Sequence, residues 1–268
     1  MKSTWREVGL PARDGENSED VVASAPAIRL RSASRDYGGP GRRVRALDRV
    51  DLVVPRGQVV SLLGPSGSGK STLLRIAAGI EPPTRGAVEV LGADLASLPD
   101  ARRCALRLRK IGQVFQGGRL LPGVDVLENV AFPLSFLGVP RVPCLARAAA
   151  LLERVGVART ARSRFPSALP AADRPRVAIA RALVAGPEIL LADEPTASLD
   201  SAASRSLLDL LASLAAESDL TMVVATHATE AATLGQRTLV LRDGRIVRDV
   251  SALPRGSATV RPLRTATA

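Results

Sequence analysis

Gly64-Pro65-Ser66-Gly67-Ser68-Gly69-Lys70-Ser71 has the residue types and spacing of a loop that grips phosphate. Glycines in such a run let backbone N–H groups wrap phosphate oxygens with no Cβ atoms in the way. Lys70 adds a point charge to the same oxygens, and the Ser71 hydroxyl is an oxygen donor for Mg²⁺. An ordinary Gly-rich turn could carry these letters by chance. Here the apolar run Val59–Leu63 precedes the loop as a short strand, and Thr72 to Ala78 follow it as the first turns of a helix. Strand, loop and helix in that order predict a nucleotide phosphate at the helix N-terminus.

A second segment adds hydrolytic chemistry. Ile189-Leu190-Leu191-Ala192-Asp193-Glu194 reads as a buried strand ending in two carboxylates. An acid at the C-terminal end of a parallel strand points into the crevice where the phosphate loop also opens. Asp193 is then the candidate Mg²⁺ carboxylate. Glu194 is the group that polarises an attacking water. Alone, such a pair would read as a solvated loop or a helix cap. With the upstream loop it predicts an NTP-hydrolysis core. His227, the one histidine of the chain, follows the apolar stretch Thr221–Ala225 and falls on the same expected sheet edge.

Positioning these groups requires an alternation of strands and helices, and the sequence supplies it. Ala27–Leu30 and Val50–Val54 suggest an antiparallel layer ahead of the phosphate loop, with Gly86–Leu91 as a further strand. Asp100–Arg109 reads as a basic helix and Ile111–Phe115 as a strand. From Gln116 to about Leu169 the pattern turns helical over Val124–Val130 and Leu145–Val155, interrupted by Pro122, Pro133, Pro140 and Pro143. Helix Arg176–Ala185, strand Ile189–Ala192, helix Ala202–Ala216, strand Thr221–Ala225 and helix Ala228–Leu234 then alternate as a parallel sheet demands. Thr238–Leu241, a turn at Asp243-Gly244, and Ile246–Val250 close the core. The phosphate loop occurs once.

Bulk properties exclude several classes. No apolar run approaches the roughly 18 residues of a membrane helix. Met1 to Ser24 lacks the apolar stretch of a signal peptide. Cys104 and Cys144 show neither metal-ligand spacing nor a disulfide framework and read as ordinary thiols of a reducing compartment. The net charge of +11 is carried almost wholly by arginine. With aromatics at 2% of residues, base stacking has little to work with, so no nucleic-acid partner is expected.

On these motifs the chain resembles the ATPase subunits of ABC transporters over roughly residues 27 to 250. The likeness is strongest to the bacterial subfamily of lipoprotein-release, macrolide-efflux and division-associated ATPases. Tyr37 matches the aromatic residue that stacks on adenine. Gln116, in Val114-Phe115-Gln116, matches the glutamine that senses Mg²⁺ and couples to the membrane subunit. Leu120-Leu121-Pro122 and Leu127-Glu128-Asn129-Val130 match the stretch after it. Asp193 and Glu194 match the Mg²⁺ aspartate and catalytic glutamate, Ser198-Leu199-Asp200 the D-loop, and His227 the switch histidine.

The resemblance implies an α/β fold: a P-loop NTPase core with a mostly parallel sheet, an N-terminal antiparallel β layer and a helical subdomain insertion near 117–170. It divides the chain into a flexible extension at 1–25, an ABC ATPase domain at 26–250 and a flexible tail at 251–268. It implies ATP and Mg²⁺ as ligands. Tyr37, residues Gly64 to Thr72, and Gln116 would bind the nucleotide. Ser71, Gln116 and Asp193 would surround the metal. Glu194 and His227 would be catalytic. A membrane permease and a second ATPase, identical or different, are the implied partners. The implied location is cytoplasmic, on the inner face of the cell membrane through the permease.

One motif departs from the family. Members carry Leu-Ser-Gly-Gly-Gln where this chain has Leu169-Pro170-Ala171-Ala172-Asp173, followed by Arg174-Pro175. In the family that segment crosses a dimer interface to the partner's γ-phosphate. Pro170 removes a hydroxyl and an N–H, Ala171 and Ala172 add Cβ atoms, Pro175 removes another N–H, and Asp173 brings a negative charge. Each lost charge-assisted hydrogen bond costs about 1.5–3 kcal/mol. Three readings stay open: a hydrolysing half completed by a partner, an ATP-binding regulatory subunit with little turnover, and a soluble ABC protein outside transport.

Overall fold

Two sheets divide the molecule, and one helix lies between them. The computed structural model describes residues 25–39, 42–227, 234–251 and 259–260. The chain begins with Ile28–Tyr37 (β1), Val44–Val54 (β2), Val59–Leu63 (β3), Lys70–Ala77 (α1), Arg85–Val90 (β4), Ala93–Asp94 (β5), Asp100–Lys110 (α2) and Ile111–Val114 (β6). Val126–Ser135 (α3) and Arg141–Arg154 (α4) follow, then 3₁₀ turns at Arg159–Ala161 and Pro166–Ala168. The chain returns through Asp173–Leu183 (α5), Ile189–Asp193 (β7), Ser201–Ala216 (α6), Thr221–Thr226 (β8), Arg237–Arg242 (β9), Arg245–Ser251 (β10) and Thr259–Val260 (β11). The helix expected over 228–234 lies outside the described residues but for its last position, as do residues 1–24 and most of the tail.

The small sheet is antiparallel in the order β2-β1-β4-β5. The large sheet runs β11-β10-β9-β3-β8-β7-β6. Its strands β9, β3, β8, β7 and β6 are parallel, and at one edge β10 pairs antiparallel with β9 and β11 antiparallel with β10. The fold class is therefore the expected one.

Strands β7 and β8 are apolar nearly throughout because the sheet is covered on both faces. Successive side chains alternate between two cores. Leu190, Ala192, Met222 and Val224 pack with the helices α3 to α6, whereas Ile189, Leu191, Val223 and Ala225 pack with α1 and the small sheet. Leu73 and Ile76 of α1 fill the space between the sheets. That helix is thus fixed from two sides, and so is the loop that feeds it.

The helical stretch is longer in its elements than the sequence suggests. Pro133 sits inside α3 instead of ending it, and Pro143 sits in the first turn of α4. Proline in a first turn costs nothing because that N–H has no partner in the helix. Pro133 falls in the last turn, where the helix ends two residues later.

Asn129 holds this stretch to the loop before it. It is fully buried on α3, and its amide serves four bonds: Oδ1 accepts from Leu121 N–H at 2.7 Å, and Nδ2 faces the carbonyls of Leu121, Val124 and Asp125 at 2.9–3.1 Å. Asp125 in turn caps α3 by accepting from Glu128 N–H. Asn129→Ala strands these partners at a cost of about 1–3 kcal/mol. The thermal midpoint should fall by roughly 2–10 °C, with Asn129→Asp intermediate. An unchanged midpoint for Asn129→Ala contradicts this account of the loop.

Candidate active site

Parallel order brings the chemistry together. The strands β3, β8, β7 and β6 are neighbours, so the loops at their C-terminal ends lie side by side along one edge. They carry, in that order, the phosphate loop, His227, Asp193-Glu194 and Gln116.

The phosphate loop is shaped by close packing against its surroundings. A Cβ on Gly64 would meet the Leu241 carbonyl oxygen at 2.3 Å, and one on Gly69 would meet that of Ala46 at 2.3 Å. Gly67 and Gly69 also have φ of 79° and 104°, which β-carbon-bearing residues avoid. The turn Asp243-Gly244 braces the loop from behind. Gly244 N–H donates to the Ser68 carbonyl at 3.0 Å, and its own carbonyl accepts from Asp48 N–H at 2.9 Å. Gly69 starts α1 with no side-chain cap, and α1 has no acid in its first turn, so its leading N–H groups carry uncompensated positive character. Ser66 and Gly67 are exposed on the loop, while Ser68 and Thr72 are buried beneath it.

Lys70 is 5% exposed and is held by two carbonyls and a carboxylate. Its Nζ lies 2.7 Å from the Gly64 carbonyl, 3.1 Å from that of Pro65 and 3.2 Å from Glu194 Oε1. The other carboxylate oxygen, Glu194 Oε2, lies 2.8 Å from His227 Nδ1 and accepts from His227 N–H at 3.3 Å. One carboxylate therefore bridges the loop lysine and the histidine. Glu194 reaches both because its backbone turns into the left-handed region, φ 48°, while its N–H still donates to Ala225 O at 2.8 Å. Such a conformation costs a non-glycine residue about 1–3 kcal/mol and needs surrounding contacts to hold it. Nothing in the sequence signals that turn.

Asp193 points the other way. Burial pushes its carboxyl above the usual range, a hydrogen bond from Ser71 opposes this, and the neighbouring Glu194 charge adds to the rise. Its Oδ1 is buried with no hydrogen-bond partner. An orphaned carboxylate oxygen next to a hydroxyl is the donor set a hard divalent cation takes, so Asp193 and Ser71 fit Mg²⁺. Gln116 is exposed in the turn after β6.

The remaining sequence candidates lie around this edge. Tyr37 ends β1, half-buried, opposite Val44 of β2, two residues from the Ala46 that abuts Gly69. Its hydroxyl donates to Glu81, and the Arg35 guanidinium lies 4.8 Å over its ring. Glu81 also meets Arg35 and Arg75, a network that no sequence motif announces. Asp200 caps α6, its carboxylate accepting from Ala203 N–H at 2.8 Å.

Leu169 is buried, but Pro170 and Ala171 are exposed at the head of α5. Ala172 starts that helix with no side-chain cap, and Asp173 is the acid in its first turn. The altered segment thus folds as a normal helix start. What it presents outward is methyl groups, a pyrrolidine ring and a carboxylate.

The sequence matches the family described as ABC transporter over residues 47–197. The chain belongs to the ABC transporter family. Among curated relatives of this ABC chain, the macrolide export ATP-binding/permease protein MacB of Rhodospirillum rubrum is 43% identical over 239 residues, 89% of this chain and 36% of that protein. The lipoprotein-releasing system ATP-binding protein LolD of Ruegeria pomeroyi is 43% identical over 83% of this chain and 98% of its own. The methionine import ATP-binding protein MetN of Nocardia farcinica is 40% identical, over 88% and 72%. The ABC chain thus spans about a third of the MacB relative and nearly all of the LolD relative. Among solved structures, the dimeric post-hydrolysis state of the ATP-binding cassette MJ0796 bound to ADP and Pi superposes with a TM-score of 0.80 at 35% identity, covering 85% of this chain and 99% of that one. The chain is an ATP-binding cassette of the ABC ATPase class.

Two measurements test the geometry. Lys70→Ala should remove most of the ATP affinity that calorimetry detects, because the triphosphate loses its main side-chain counter-charge; unchanged affinity contradicts the placement. Asp193→Asn should raise the thermal midpoint of the nucleotide-free chain at pH 7.5. A carboxyl whose folded pKa is raised carries its cost above that pKa and none below its unfolded value. The gain should therefore vanish below about pH 4. A lower midpoint at pH 7.5 contradicts the strained carboxylate.

Proposed function

We propose that this cassette binds and hydrolyses MgATP to drive an export-type or cell-envelope transporter, its phosphate loop completed by the signature segment of a second cassette. The observation that carries this reading is the Glu194 carboxylate bridging Lys70 and His227 at 3.2 and 2.8 Å beside the phosphate loop. The MacB and LolD relatives support the export or envelope setting. The partners would be a permease and a second ATPase, with the cassette held at the cytoplasmic face of the membrane by the permease. Among the described residues no helix is long and apolar enough to cross a membrane. The division into an extension at 1–25, a domain at 26–250 and a tail at 251–268 belongs to the same proposal.

Each residue has a role in this reading. The amides of Gly64 to Ser71 wrap the phosphates, with Pro65, Ser66, Gly67, Ser68 and Gly69 giving the loop its shape and Thr72 continuing it into α1. A phosphate oxygen takes the place of the Glu194 carboxylate at Lys70. Tyr37 stacks on the base. Ser71, Asp193 and Gln116 hold Mg²⁺, which when bound neutralises charge on the phosphate oxygens. Glu194, released from Lys70 as phosphate arrives, accepts a proton from the attacking water or orients it. His227, its side chain 62% exposed, donates to the γ-phosphate. Asp200 lies at the dimer interface.

The second half of the site decides who the partner is. Leu169, Pro170, Ala171, Ala172 and Asp173 offer a neighbouring phosphate no hydroxyl and no glycine approach. Two lost bonds of about 1.5–3 kcal/mol each weaken that half-site at least 10²-fold. Two copies of this chain would put a defective segment in both sites. A different cassette with an intact signature restores one.

In the pure chain, Pro170→Ser, Ala171→Gly, Ala172→Gly and Asp173→Gln together should raise steady-state turnover at least about tenfold. Brisk hydrolysis by the unmodified chain, on the order of 1 s⁻¹ or faster with no gain on repair, contradicts the proposal.

A further inference from the structure

The segment after Gln116 has an improbable backbone. Gly117, Gly118 and Arg119 all lie in the left-handed region, with φ of 72°, 73° and 41°. Glycine accepts that conformation freely, whereas arginine does not. A local turn, Gly118 N–H to the Phe115 carbonyl at 2.8 Å, starts the bend but does not reach Arg119. Something else must hold it.

Arg181, on α5, supplies that hold. Its Nη2 donates to the Gly118 carbonyl at 2.7 Å and its Nη1 to the Arg119 carbonyl at 2.9 Å. The planar fork of a guanidinium suits two successive carbonyls and holds them with less loss of side-chain freedom per bond than a flexible ammonium would. Burial pushes the Arg181 pKa below its ordinary value, so the group sits where its charge is poorly hydrated and its hydrogen bonds are strong. The same helix face packs directly under the loop. A Cβ on Gly118 would lie 3.4 Å from Ala178 Cβ and 3.5 Å from the Arg174 carbonyl oxygen. Arg174, Ala178 and Arg181 follow the i, i+4, i+7 spacing of one helix face.

We propose that Arg181 is a positioning residue that pins the 116–119 loop to α5, so that Gln116 and the altered segment heading α5 move as one body. This rests on the reading of Gln116 as a metal-site residue. The consequence is that whatever shifts the head of α5, a partner cassette above all, shifts Gln116 relative to Asp193. The guanidinium touches neither nucleotide nor water in this scheme. It acts through the two carbonyls.

The test uses the full chain as Arg181→Met, which keeps an unbranched apolar stem without donors, and Arg181→Lys, which keeps charge and part of the bonding. Hydrogen exchange should show the amides of residues 117–120 exchanging at least tenfold faster in Arg181→Met, with the lysine variant between it and the native chain. Calorimetry should show ATP affinity in EDTA changed less than threefold, while the gain in affinity on adding Mg²⁺ shrinks at least fivefold. Unchanged exchange in 117–120 overturns the proposal, as does an intact Mg²⁺ gain in a loop that has been loosened. A merely structural arginine would lower the melting temperature and leave the Mg²⁺ gain alone. Gln116→Ala separates the underlying reading. If that variant keeps the full Mg²⁺ gain, Gln116 is not at the metal, and the exchange data alone then decide whether Arg181 pins the loop.

Discussion

Everything in this site depends on parallel strand order. Because β3, β8, β7 and β6 run side by side in one direction, residues separated by more than a hundred positions reach the same edge. Lys70 and Glu194 meet at 3.2 Å for that reason. The sheet can hold them there because it is buried on both faces, with alternate residues of β7 and β8 serving two separate cores. A rigid, two-sided sheet is a good base for a site that must place a water and a phosphate within a fraction of an ångström.

Much of this was legible in the sequence, for identifiable reasons. The phosphate loop needs fixed glycines at fixed spacing, so its letters are constrained by backbone geometry. Buried parallel strands read as continuous apolar runs, which located β3, β7 and β8 to within a residue or so. The basic helix α2 and the turn at Asp243-Gly244 were equally plain. Other features left no local trace. The left-handed turn at Glu194 carries no glycine. The bridge from Lys70 through Glu194 to His227 joins three strands, and no single window of sequence contains it. Asn129 and Arg181 look like ordinary helical residues until the loops they hold are seen. Only the tandem Gly117-Gly118 hinted at an unusual backbone there.

Proline also misled in a physical way. Pro133 suggested a break, yet α3 runs two residues past it, because the packing of its buried Val126, Val130 and Leu134 outweighs the one ladder bond that the proline removes. Pro170 raises the opposite issue. It is harmless to the start of α5, and the fold around it is regular. Its effect falls on a surface that a second molecule would use. Stability and catalysis thus put different demands on the same short segment, and in the function proposed for it this chain satisfies only the first.

In the proposed function, one chain holds an intact phosphate half-site and a defective signature half-site. Sedimentation of the full-length Glu194→Gln chain with saturating MgATP tests this most directly, since blocked turnover leaves the nucleotide in place. The expected species is a nucleotide-loaded monomer over the micromolar range, and a dimer only when the signature segment is repaired. A tight ATP-dependent homodimer of the Glu194→Gln chain with its native Leu169–Asp173 segment would contradict it.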